Sequence, residues 1–211
     1  MESINLKKKS KLNHIIRRGN EHIVYISGGN ESGTGVGMYE FNASDGTGGR
    51  YFYYGNYDKG KRSGKGYTFA CIQNDMEDAY ETFEGNWEND APNGEFIWDK
   101  TEYVDGAKVD YHTTGTYKNG LEDGEFEQHV ITPYFETTIH WTSENGVAPD
   151  IYDSITDKIA KESLKSFHDE GYAIIAYSVI REGDQVFVWR AVSEPGEVHG
   201  VCEFAVGNKG R

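Results

Sequence analysis

The sequence predicts a mainly-β protein: an elongated antiparallel sheet of consecutive β-hairpins, with a C-terminal helix and short strands as a cap. Three observations predict it. Glycine and aromatic residues recur in register, since Gly55-Asn56-Tyr57, Gly85-Asn86-Trp87 and Gly115-Thr116-Tyr117 follow one another at a step of 30 residues. A second glycine, nine positions on, keeps the same step at Gly64, Gly94 and Gly124. Self-similarity at a fixed period signals stacked copies of one supersecondary unit. Aromatic residues reach 14%, with 15 tyrosines, while hydrophobic residues are only 36%; that balance suits a single-layer sheet with one aromatic face better than a thick aliphatic core.

Residues 1–23 form a basic segment (Lys7-Lys8-Lys9, Lys11, Arg17, Arg18), read as a tail or a helix leading into the first hairpin. A degenerate first copy lies at Gly35-Val36-Gly37-Met38-Tyr39-Glu40-Phe41, which lines up with Gly64 to Phe69 at an offset of 29. In the first full unit Tyr53 to Tyr57 carries strand-forming residues, Gly60-Lys61-Arg62-Ser63-Gly64 reverses the chain, and Tyr67-Thr68-Phe69 returns. Reversals are therefore expected at Gly60 to Gly64, Asp90 to Gly94 and Gly120 to Gly124. Glycine inside a strand weakens it, so the recurrence of Gly55, Gly85 and Gly115 implies that backbone or an aromatic ring lies close over each. Between hairpins, Asn42 to Gly49, Gln73 to Ala79 and Thr101 to Lys108 carry turn formers such as Asp45-Gly46 and Asp105-Gly106 and lengthen the strands. Trp141, 24 residues after Tyr117, and Gly146 behind it mark a last copy. The repeat array spans 24–152.

Residues 153–211 change style and read as an α-β-β-β cap. Asp153 to Glu170 has helix marks: Ser154 with Asp157 as a capping box, Ile155, Ile159, Leu164 and Phe167 as an apolar stripe, and Gly171 as a left-handed stop. Tyr172 to Arg181, Val186 to Val192 and Val201 to Val206 follow as strands, the first two joined by a turn at Glu182-Gly183-Asp184-Gln185. The cap is expected to close the open edge of the sheet or to lay its helix across the aromatic face.

The hairpin unit resembles the MORN repeat, whose pattern is aromatic-x-Gly-x-aromatic-x-x-Gly-Lys-x-x-Gly-x-Gly. Tyr53 to Phe69 matches it nearly position for position, and Gly115 to Phe126 is similar to the bacterial variant in which Gly-Glu-aromatic replaces Gly-x-Gly. The resemblance covers roughly residues 24–150 and implies a non-enzymatic scaffold that binds another protein. The step of 30 departs from it, since MORN units recur at a shorter interval.

Charge narrows the partners. With 21 basic against 35 acidic residues the formal net is −14, so the surface repels nucleic-acid backbone and anionic lipid. Neither nucleic acid nor membrane is an expected partner; a basic protein is. No apolar run long enough to span a membrane and no signal pattern opens the chain, which favours a cytoplasmic setting unless a leader has been removed. Cys71 and Cys202 match no metal or redox spacing.

Several motifs carry no chemistry. Gly55 to Lys61 satisfies the first seven positions of a P-loop, but Arg62 stands where a magnesium-binding hydroxyl must be. The seven histidines include no pair at metal spacing, and Asp45 and Asp105 lack the acidic ladder of a calcium loop. No catalytic residue, metal or cofactor is expected.

What remains is the aromatic column of Tyr57, Trp87, Tyr117 and Trp141, with Trp98 on a returning strand. Two readings stay open: these rings are the core, or they line a binding surface. On the second reading they are the expected partner-binding residues, with an immunity or antitoxin-like role as a special case, because strongly acidic small bacterial proteins often neutralise cationic partners. The alternative is a carbohydrate-binding module of an exported bacterial protein, using Trp87, Trp98 and Trp141 as stacking platforms.

Overall fold

A computed structural model describes residues 22–28, 31–42, 48–73, 79–104, 106–193 and 207–208. The basic cluster at Lys7 to Arg18, Asp45, Asp105, the strand expected at Val201 to Val206 and Cys202 lie outside them. The architecture is mainly β. One long antiparallel sheet is made of β1 (His22–Tyr25), β2 (Gly33–Asn42), β3 (Gly48–Asp58), β4 (Lys61–Gln73), β5 (Ala79–Glu88), β6 (Ala91–Val104), β7 (Ala107–Lys118), β8 (Leu121–Glu122), β9 (Gly124–Ile131) and β10 (Glu136–Ser143). Each strand pairs with the next in sequence, except that β7 pairs with both β8 and β9. A 3₁₀ turn at Tyr152–Ser154 and helix α1 (Lys158–Asp169) follow, then a second antiparallel sheet of β11 (Ala173–Glu182), β12 (Gln185–Ser193) and β13 (Gly207–Asn208).

The hairpins reverse more tightly than the sequence reading expects. The chain turns within two residues, at Lys59-Gly60, Asn89-Asp90 and Asn119-Gly120, all six with positive φ, as a type I′ turn requires. Gly64, Gly94 and Gly124 are therefore not loop ends. Each sits beyond the reversal with φ of 65°, 112° and 133°, where the returning chain carries extra residues; the pairing steps from Gly55↔Gly66 to Tyr57↔Arg62 and from Gly85↔Phe96 to Trp87↔Pro92. These are bulges, and a bulge conformation at positive φ selects glycine.

Burial alternates along the strands, so one face of the long sheet is covered and the other open. Rings from β3, β5 and β7 meet on the covered face: Tyr53 and Trp87 are 5.6 Å apart, Phe83 and Tyr117 5.4 Å. Alternate strands of a flat sheet are about 9.6 Å apart, so these rings lean together across the strand between them. The small sheet covers part of the same face. Phe187, Trp189 and Ala191 join the aromatic core, with Trp189 against Tyr111 and Phe135 at 6.0 and 5.9 Å. From the other side of the small sheet, Ile174, Val188 and Val192 pack with Ala160 and Leu164 of α1.

The result is three layers: long sheet, small sheet, helix. The helix does not lie on the aromatic face as one expectation had it, because β11 and β12 are apolar on both sides and occupy that place. The helix also starts later than the capping box suggested. Ser154 donates to the Ile151 carbonyl within the 3₁₀ turn, and Asp157 is the N-cap, accepting from the Ile159 and Ala160 amides at 2.9 and 3.0 Å. Its far end stops at Gly171, φ 91°, as expected.

Candidate functional site on the open face of the sheet

The column sits in the covered face. Tyr57 and Trp87 are 3% exposed and Tyr117 and Trp141 6%, while Trp98 is half-buried and packs on the same core. Edge-to-face and stacked contacts link the column to its neighbours, from Tyr53–Trp87 at 5.6 Å to Phe126–Trp141 at 5.3 Å. Rings this enclosed offer no contact area to a partner or a sugar. Of the two readings left open for the column, the structure supports packing.

The glycines explain how the rings fit. Gly35, Gly55, Gly66 and Gly85 face one another across successive strands, and the row continues through Phe96 to Gly115. On the covered face a Cβ at Gly55 or Gly66 would run into the Tyr53 ring, one at Gly85 into Phe96 and one at Gly115 into Phe126. Each glycine is the seat of a ring, which is the close approach that the sequence pattern implied.

One repeat position beside the column varies in chemistry. Arg62, Pro92 and Glu122 stand opposite Tyr57, Trp87 and Tyr117 in turn. Arg62 is fully buried, its guanidinium 4.4 Å from the Trp87 ring centre, hydrogen-bonded to the Tyr51 hydroxyl and 3.5 Å from Asp90. The segment with P-loop spacing is thus an antiparallel hairpin with its Arg62 held inside. Glu122 is buried at the other end, where its carboxylate accepts from Ser143 Oγ at 2.8 Å and Trp141 Nε1 at 3.3 Å. Burial pushes this carboxyl up to about 7, and the two hydrogen bonds offset only part of that effect.

The open face carries what the column does not. A groove of about 890 Å³ runs across the strands directly behind the glycine row. Its floor is the backbone at Gly55, Gly66, Gly85, Phe96 and Gly115, and its walls are the residues either side of each. Tyr54, Tyr67, Glu84, Ile97 and Thr114 form the first wall, in direct cross-strand register. Asn56, Lys65, Asn86, Glu95 and Thr116 form the second, with Thr34 and Glu125 at its ends. Tyr54 is 54% exposed, Tyr67 39% and Ile97 43%. The sequence reading places Tyr67 on a returning strand, but the walls as such escaped it, although a signal existed: strand neighbours of a glycine that seats a core ring must point the other way.

The same face holds imidazoles further along. His112 pairs directly with His129 across β7 and β9, and three cross-strand contacts with carboxylates follow: His112–Asp99 at 2.6 Å, His129–Glu136 at 3.1 Å and His140–Glu127 at 3.6 Å. Sequence spacing could not reveal these pairs, because register creates them. Among the described residues no group of three or more His, Cys, Asp or Glu side chains could hold a metal, and no helix is long and apolar enough to cross a membrane. Compared with known proteins, the chain matches no family model, no curated protein and no solved structure. The likeness to MORN repeats therefore rests on the residues quoted for it.

Proposed function

We propose that this chain is a non-enzymatic repeat scaffold that binds another protein on the open face of its long sheet, and that the partner is basic. One observation carries the reading: after the covered face has taken up the aromatic column, the opposite face still exposes Tyr54, Tyr67 and Ile97 in one row beside a groove. Exposed large side chains in a row, rimmed by polar residues, are the usual mark of an interaction surface. The net charge of −14 favours a cationic partner, and the MORN resemblance agrees with a scaffold. The sugar reading keeps only the half-buried Trp98 of its three platforms, since Trp87 and Trp141 are enclosed.

Affinity enrichment from the source cell, with the wild type and Tyr54→Ala/Tyr67→Ala as paired baits, tests the proposal. The expected result is a protein retained by the wild type, lost by the folded variant, and bound again when both purified components are mixed. Equal recovery by both baits, or salt-indifferent retention on neutral glycans in place of a protein, contradicts it.

A further inference from the structure

We infer that the groove is a channel for an extended segment of the partner, one whose side chains alternate between basic and apolar; this rests on the scaffold reading above and names what that surface holds. Width decides between chain conformations. The two walls are residues i and i+2 of the same strands, so their backbones are only about 6.8 Å apart, whereas a helix with its side chains is about 10–12 Å across. The extended chain, the narrower of the two, suits this spacing, and a helix does not.

Length follows from the strands crossed. The lining runs from Thr34 on β2 to Glu125 on β9, across seven adjacent strands, so six gaps of about 4.8 Å make a path of roughly 29 Å. A strand rising about 3.4 Å per residue covers it in about nine residues. The floor strands already use their backbone hydrogen bonds in the sheet, so the segment must be held by side chains. In an extended chain these point alternately to either side.

The walls differ, and alternate residues would read them separately. The first presents the faces and edges of Tyr54 and Tyr67 and the aliphatic Ile97; it takes apolar side chains, or a cation over a ring. The second presents the Asn56 and Asn86 amides and ends in Glu95 and Glu125. Glu84, across the floor from them, makes three carboxylates against Lys65 as the only cation in the lining among the described residues. That imbalance selects lysine or arginine in the occupant.

The probe is a labelled nonapeptide of alternating lysine and valine, titrated against the full chain at low salt by fluorescence anisotropy. Three variants test the channel. Glu84→Gln/Glu95→Gln/Glu125→Gln should weaken binding at least tenfold, while Glu144→Gln/Asp153→Asn/Glu170→Gln, with the same loss of charge at exposed positions outside the groove, should change it less than threefold. Asn86→Trp, at an exposed position, should fill the channel and weaken binding tenfold without lowering the melting temperature. Equal weakening by the two charge variants would reduce the effect to overall acidity and overturn the channel. So would unchanged binding by Asn86→Trp, or tighter binding of a helical peptide of the same charge. If the natural partner is nonetheless lost with Tyr54→Ala/Tyr67→Ala, the scaffold stands and only the channel falls.

Discussion

On one face of the long sheet the glycine row seats Tyr53, Phe96 and Phe126; on the other, the same backbone is the floor of a groove between Tyr54 and Asn56 and their counterparts. The two faces share every strand, yet they differ in what a side chain there can do. Trp87 on the covered face is held by neighbours on β3, β4 and β6, so removing it leaves a hole. A ring on the open face touches few partners, and its removal leaves the sheet intact. Residues of the core and residues of the proposed binding face are thus separable by parity alone.

Trp87→Ala should have the largest effect on stability. Trp87 touches Tyr53, Phe83 and Phe96 and covers the buried Arg62 guanidinium, so truncation opens a cavity and uncovers a charge. A loss of about 4 kcal/mol is expected in urea unfolding. A loss under 1 kcal/mol would mean that the covered face is not the core.

Glu122 gives a pH-dependent test of the same face. Its carboxyl titrates at about 7 in the folded chain against an ordinary value of 4.5, so between those pH values the native state holds the proton that the unfolded chain releases. The wild type should therefore lose stability as pH rises from 4.5 to 7, by on the order of 2–3 kcal/mol from this group. Glu122→Gln should remove that part of the slope and be the more stable protein at pH 8. Identical profiles for both proteins would show that Glu122 is not buried as described.

Gly115→Ala adds a single methyl group where the Phe126 ring lies, and about 2 kcal/mol of overpacking should appear in the unfolding midpoint. The smallest effect belongs to the open face. Tyr54→Ala and Tyr67→Ala should each change stability by no more than about 0.5 kcal/mol, measured by the same unfolding titration.

These contrasts also mark how far the sequence could be read. The hairpins, their antiparallel order and the close approach over Gly55, Gly85 and Gly115 were legible, because glycine in mid-strand has few other causes. The exact reversal was not. Asn89, Asp90 and Asn119 adopt positive φ without being glycine, so the turn moved ahead of the glycine that the pattern pointed to. The helix start shifted for a similar local reason, with Ser154 spent in a 3₁₀ turn and Asp157 left to cap. The main divergence concerns faces. Periodicity says that Tyr57, Trp87, Tyr117 and Trp141 share one, but not which one is covered; the small sheet that covers part of it, through Trp189 on Tyr111 and Phe135, lies some 50 residues beyond the array's last aromatic position and carries no repeat signal.

The most direct test of the account is a chemical-shift map of the lysine–valine nonapeptide bound to isotopically labelled protein. The account predicts shifts at Tyr54, Tyr67, Asn86, Ile97 and Thr114 on the open face, with the indole N–H resonances of Trp87 and Trp141 unmoved. Shifts at those two indoles, with Tyr54 and Tyr67 unchanged, would place the partner on the covered face and contradict it.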